Sequence, residues 1–201
     1  MTSRTATLER ATRETSIRVT LDLDGSGVTD MQTGIGFLDH LLETLGRHAR
    51  LDLTLRCEGD LRVDDHHTAE DCALALGESL DRALGDRRGV ARFGSAYAPL
   101  DESLARAVVD LSGRPFADVA LGIGREAIGG LACENVPHVL RSLAVAARLT
   151  LHVDVLKGAN DHHRAEAAFK AVALALRQAI ALSGYDDVPS TKGTLGGPSH
   201  A

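Results

Sequence analysis

Residues 64–77 read DDHHTAEDCALALG, and residues 160–173 read NDHHRAEAAFKAVA. The cluster Asp65-His66-His67 with Ala69-Glu70 returns 96 positions later as Asp161-His162-His163 with Ala165-Glu166. Ala73, Leu74, Leu76, Leu80 and Leu84 follow the first cluster at helical spacing. The acidic pair Asp64-Asp65 is an N-cap signal. Helices are therefore predicted at 66–84 and 162–182.

Two further correspondences lie on either side. Asp22-Leu23-Asp24-Gly25 returns as Asp110-Leu111-Ser112-Gly113, 88 positions on, and Ala49-Arg50-Leu51 as Ala147-Arg148-Leu149, 98 positions on. Matching order at nearly constant offset marks a duplication. Two copies are too few for a solenoid, so the pattern implies two halves related by pseudo-twofold symmetry. In the first copy, Ile17, Val19, Leu21 and Leu23 alternate as a strand at 16–23, and DGSG at 24–27 turns the chain into a second strand. Phe37, Leu38, Leu41, Leu42 and Leu45 give a helix at 34–48, and 51–57 alternates again. The second copy reads as strands at 103–111 and 116–121, a helix at 134–147 and a strand at 149–156. The order is strands, helix, strand, helix, twice. The expected fold is α+β, a duplicated half-domain whose helices pack on one face of a mixed four-stranded sheet in each half. One catalytic domain would span 1–201, with pseudo-repeats at about 8–88 and 92–184. The polar, glycine-rich segment 85–95 would connect them, and a flexible tail at 188–201 would carry the loop Pro189-Ser190-Thr191-Lys192-Gly193.

Composition narrows the function classes. A net charge of −6 and 3% aromatic residues leave neither a basic stripe nor a stacking platform for nucleic acid. No apolar run approaches the ~20 residues of a membrane span. Three scattered cysteines, Cys57, Cys72 and Cys133, exclude a disulfide framework and a thiolate zinc finger. A cytoplasmic protein is expected. Against this plain background stand nine histidines, roughly twice average usage.

The repeat sorts them. His66 and Glu70 stand four apart on one helix face, while His67 is turned about 100° away, so one helix end serves two places. His162, His163 and Glu166 repeat the arrangement. His40 and His138, on the preceding helices, correspond at an offset of 98. Six histidines and two glutamates thus form two equivalent sets. Imidazole with carboxylate suits a catalytic divalent ion that keeps open positions. Asp71 becomes Ala167 in the second copy and is not a repeated ligand. His48, His152 and His200 have no repeated partner. The Asp22-Leu23-Asp24-Gly25 segment mimics a phosphatase nucleophile motif, but a glycine turn and a second strand follow where a βαβ unit would be required. Arg92, Arg114 and the loop at 189–193 supply the cations, hydroxyl and glycine backbone with which proteins hold phosphate.

Together TGIGFLDHLLETLGRHA (33–49), DDHHTAEDCALALG, RFGSAYAPLDESLARAVVDLSGRP (92–115), NDHHRAEAAFKAVALALRQAI (160–180) and PSTKGTL (189–195) resemble the imidazoleglycerol-phosphate dehydratase family in its monofunctional form. The segment CENVPHVLRSLA around His138 is less aromatic than the family pattern. The resemblance implies two Mn²⁺ per active site and a shell of 24 subunits with active sites between subunits. His40, His66, His67, Glu70, His138, His162, His163 and Glu166 would be the ligands. Arg92, Arg114, Ser190 and Lys192 would hold the substrate phosphate, with Lys170 beside the site. Glu14, which reads alone as an exposed charge before a strand, matches a family glutamate near the reacting carbons and is the expected general base. Dehydration must break a C–H bond that no carbonyl acidifies, so the substrate imidazole, favoured as imidazolate by two metals, is the available electron sink. The competing class is a metal-binding shell without turnover. It would use the same eight ligands but has no need of a phosphate loop.

Overall fold

The period-2 pattern of each copy is realised as a four-stranded mixed sheet in a computed structural model that describes residues 3–195. In the first copy, β1 (Thr5–Ala11), β2 (Thr15–Asp22) and β3 (Thr29–Gln32) precede α1 (Gly36–Ala49). Next come β4 (Asp52–Gly59) and α2 (His66–Leu84). The second copy runs β5 (Phe93–Leu100), β6 (Ser103–Asp110), β7 (Phe116–Ala120), a small hairpin of β8 (Ala127–Ile128) and β9 (Leu131–Ala132), then α3 (Asn135–Ala146), β10 (Thr150–Lys157) and α4 (Asp161–Ile180). Sheet order is β1-β2-β4-β3 in one copy and β5-β6-β10-β7 in the other. In both, the last-named strand is parallel to its neighbour and the other pairs are antiparallel. The α+β duplication expected from the repeats is thus the architecture. The change in offset along the chain also has a cause. The β8–β9 hairpin lengthens the connection between β7 and α3, where the first copy passes from β3 to α1 in three residues. This raises the offset from 88 to 98.

Besides the short β8–β9 hairpin, two strands of the main sheets escape the sequence pattern. β1 starts at Thr5, ahead of the expected repeat boundary at residue 8, and buries only Ala6 and Leu8. β5 begins at Phe93, inside the segment read as a connection, and its buried residues are Gly94, Ala96 and Ala98. The reason is contact distance. A Cβ on Gly94 would stand 1.9 Å from the Ala175 carbonyl oxygen of α4, so the strand faces the helix with residues too small to register as an apolar stripe.

Each sheet is covered on one face by its own helices, and the helices pair across the copies, α1 with α4 and α2 with α3. The α2–α3 crossing is close. A Cβ on Gly77 would meet the Leu143 carbonyl oxygen at 2.6 Å. Alanines line the buried side of α4, which holds Ala165, Ala168, Ala171, Ala175 and Ala179. Among the described residues, no helix is long and apolar enough to cross a membrane, and the three cysteines are free.

Arg87, only 2% exposed, locks the copies together. Its guanidinium donates to the Leu111, Ala147 and Arg148 carbonyls at 3.0 Å and pairs with Asp81. Ala147 caps the C-terminus of α3 and Arg148 follows it, so the cation also meets the negative end of that helix dipole. Removing one partner of a buried ion pair strands the groups left behind. Arg87→Ala is expected to lower unfolding free energy by about 3 kcal/mol, measured by urea denaturation. A loss near zero would show that water replaces the guanidinium without penalty.

Candidate metal centres

The first turns of α2 and α4 carry the repeated histidines, but their caps differ. On α4, Asn160 Oδ1 accepts the His162 N–H at 2.9 Å. On α2, Asp64 Oδ1 takes the equivalent His66 N–H at 2.9 Å. Asp65, expected as part of that cap, instead spans the copies: its Oδ2 accepts from the Ala132 N–H at 2.6 Å and from Asn135 Nδ2 at 3.1 Å. Asn135, buried on α3, in turn presents Oδ1 to His66 Nδ1 at 3.0 Å. The interaction fixes the ring of His66 and leaves its Nε2 free to bind.

Six of the eight sequence-derived ligands converge in two clusters, and both clusters are built across the duplication. His66 and Glu70 of α2 meet His138 of α3, and His162 and Glu166 of α4 meet His40 of α1. Within each cluster the ligand atoms lie within 4.8 Å of one another. Glu70 Oε1 is 3.0 Å from His138 Nε2, and Glu166 Oε2 is 3.2 Å from both His40 Nε2 and His162 Nε2. Ligands about 2.1 Å from an octahedral ion stand about 3 Å apart at right angles. The clusters therefore have the spacing and donor chemistry that could hold a divalent ion, with imidazole and carboxylate and no thiolate. The second is electrostatically distinct. Burial raises the Glu166 carboxyl, but hydrogen bonds and charge from Lys170 and His40 outweigh it and hold the group at about 2. Lys170 Nζ lies 2.7 Å from Glu166 Oε1, and its counterpart in the first copy is Leu74.

His67 and His163 join neither cluster. Their rings stand edge-on to those of His66 and His162, with centroids 6.2 Å apart in both pairs. His67 Nδ1 meets the Asp60 carboxylate at 3.1 Å, and its Nε2 is 3.8 Å from Glu14 Oε1. His163 Nδ1 donates to Glu102 Oε2 at 2.7 Å. The Asp60 hydrogen bond raises the pKa of His67, and that of Glu102 raises His163. The Asn160 N–H, the His163 ring and the Ala159 N–H together hold the Glu102 carboxyl far below the usual range. Asp60, Glu102 and Asn135 were not among the sequence candidates. Only Glu102 had a signal: it lies 88 positions after Glu14, the offset of the surrounding repeat.

The remaining candidates make other contacts. Arg92 pairs with Asp110 at 2.7 and 3.1 Å and donates through Nη1 to the Pro189 carbonyl at 2.7 Å, tying the 189–193 loop to the second sheet. The Gly193 N–H closes a turn onto the Ser190 carbonyl at 2.9 Å, and Ser190 Oγ accepts the Lys192 N–H at 3.2 Å. Residues 188–195 of the expected tail are thus hydrogen-bonded loop ending on buried Leu195. Residues 196–201, with His200, lie outside the described residues. Arg114 and Lys192 are exposed. No hydrogen bond or ion pair among the described residues joins Arg92, Arg114, Ser190 or Lys192 to either cluster. His48 lies exposed near the end of α1, and His152 sits on the outer face of β10 beside Phe116. Asp71 has a structural role: Thr15 Oγ1 donates to it at 2.6 Å and Arg10 pairs with it, which ties the β1–β2 hairpin to α2.

A family model described as imidazoleglycerol-phosphate dehydratase matches residues 33–176. The chain belongs to the imidazoleglycerol-phosphate dehydratase family. Proteins of that name from Maudiozyma humilis and Phaffia rhodozyma are 51% and 55% identical to it. The alignments cover 97% and 96% of this chain and 100% and 96% of theirs. The imidazoleglycerol-phosphate dehydratase crystal structure from Staphylococcus aureus superposes with a TM-score of 0.80 at 34% identity, over 89% of this chain and 99% of that one. The structure from Pyrococcus furiosus, solved in complex with (S)-C348, gives 0.81 at 36%, over 94% and 100%. Membership makes the chain an enzyme of the hydro-lyase class in histidine biosynthesis. The family match spans both clusters, from His40 to Glu166.

Proposed function

We propose that this chain dehydrates imidazoleglycerol phosphate to imidazole acetol phosphate and water, with one Mn²⁺ at each histidine–glutamate cluster. The observation that carries the reading is the pair of clusters, each assembled from both copies of the repeat. Bound there, the two ions would act as Lewis acids toward the substrate's imidazole nitrogens and ease negative charge onto the ring. Glu14 accepts the carbon-bound proton, the hydroxyl beside the ring departs and takes up that proton equivalent to become water, and the resulting enol tautomerises to the ketone. Glu14 is exposed and its carboxylate accepts no hydrogen bond among the described residues, as a base awaiting substrate requires. Lys170 neutralises one oxygen of Glu166 and would leave the other for the ion. Arg92, Arg114, Ser190 and Lys192 take the substrate phosphate.

His67 and His163 complete the ligand sets of neighbouring subunits, so the active sites lie between chains in a shell of 24 copies. Two observations support this. Both rings are turned out of their own chain's clusters. The outer face of the second sheet exposes Phe93, Tyr97 and Phe116 at 58%, 59% and 54%, an apolar surface that suits burial against another subunit. A cytoplasmic location accords with three free cysteines.

Turnover of imidazoleglycerol phosphate with Mn²⁺ tests the activity, read as acetol phosphate product. Chelation is expected to abolish product formation and shift the particle to smaller species on size exclusion, with Mn²⁺ restoring both. Turnover that survived complete demetallation would overturn the metal-dependent reading. A chelated sample that stayed fully assembled would remove the metals from the assembly contacts. Metal uptake without turnover would instead indicate a binding shell.

A further inference from the structure

The two hairpins that open the copies carry a glutamate at the same position. Glu14 precedes Thr15, the first residue of β2, and Glu102 precedes Ser103, the first residue of β6. Both pairs keep the offset of 88. The two glutamates are nevertheless engaged differently. Glu14 stands 3.8 Å from His67 Nε2. Glu102 Oε1 accepts from the Ala159 N–H at 3.0 Å, the Asn160 N–H at 2.8 Å and Ser103 Oγ at 3.1 Å, while Oε2 receives His163 Nδ1 at 2.7 Å. The first copy gives the equivalent Nδ1 contact of His67 to Asp60, a residue of the β4–α2 loop.

We propose that Glu102 is a positioning residue that fixes the tautomer of His163, with the proton on Nδ1 and the Nε2 lone pair free for metal. The proposal rests on the reading of His163 as a ligand. Three donors on one oxygen leave the other nothing to do but accept, so the imidazole must donate from Nδ1. Asp60 does the same for His67 with less constraint, because its carboxylate has no second anchor among the described residues. Duplication thus produced two hairpin carboxylates, of which one was kept for chemistry and the other turned to holding a ring.

The tautomer makes the test specific. In Glu102→Gln the same three donors claim the amide oxygen, so the amide NH₂ faces His163 Nδ1. That nitrogen must then accept, the ring proton moves to Nε2, and the metal-binding lone pair is blocked. The substitution is isosteric and keeps the contacts to 103, 159 and 160. A purely structural Glu102 therefore predicts no change. With tautomer control, Mn²⁺ affinity of the demetallated full-length protein, followed by electron paramagnetic resonance of free Mn²⁺, is expected to fall 10–100-fold. Apo thermal unfolding should stay unchanged. Asp60→Asn, free to rotate its amide, should lose less.

His163→Ala, measured in parallel, separates the two ways to fail. If His163→Ala weakens Mn²⁺ binding and Glu102→Gln does not, the positioning role is wrong and the ligand reading stands. If neither changes binding, His163 is not a ligand and both readings fall.

Discussion

Replacing His138 with alanine is expected to empty one of the two metal positions and lower turnover by about 10³-fold or more, the several kcal/mol that a Lewis-acidic ion supplies. The affected ion is the one held by His66 and Glu70 in the other copy, because His138 Nε2 approaches Glu70 Oε1 at 3.0 Å across the α2–α3 crossing. His40→Ala is expected to empty the other position, where His40 Nε2 lies 3.2 Å from Glu166 Oε2 across α1 and α4. Metal analysis of the purified variants should show half the wild-type Mn²⁺ in each. If each substitution removed the ion bound by its own copy's HHxxE helix, the cross-copy clusters would be wrong.

Glu14→Gln should give the opposite signature, a kcat lower by about 10²–10⁴-fold with metal content and KM near the wild-type values. The carboxylate is exposed and hydrogen-bonded to nothing among the described residues, so glutamine removes a proton acceptor without disturbing a network. An interaction made only in the transition state appears in kcat rather than KM. Near-normal kcat with intact metal would pass the base role to another group. Glu166 is the weakest substitute, since Lys170 and His40 hold it as a carboxylate at about 2 and metal would occupy it.

Much of this is legible in residue order because periodicity reports burial. The helices at 66–84 and 161–180 lie within a residue or two of their expected ranges, since leucines and alanines at helical spacing face a sheet. β5 is silent because α4 approaches Gly94 too closely for any large apolar residue to mark the strand. The repeat identifies His40 with His138 and His66 with His162, yet correspondence is not contact. Nothing in the offsets says that His40 meets His162 and His138 meets His66, because that depends on the α1–α4 and α2–α3 pairings. Asn135, Asp60 and Glu102 act on the far nitrogens of the histidines. Single polar residues in loops and helix starts carry no period, so the structure alone reveals Asn135 and Asp60, while Glu102 shows in the sequence only as the repeat of Glu14.

The crossing of the clusters constrained how the duplicated chain could change. If both clusters hold metal, each draws ligands from both copies, and a copy that lost its histidines would disable a site its sister also serves. Redundancy, the usual licence for a duplicate to drift, would then be withheld from the six converging residues. The two halves do differ elsewhere: Lys170 stands opposite Leu74, and the paired glutamates Glu14 and Glu102 keep their identity but make different contacts.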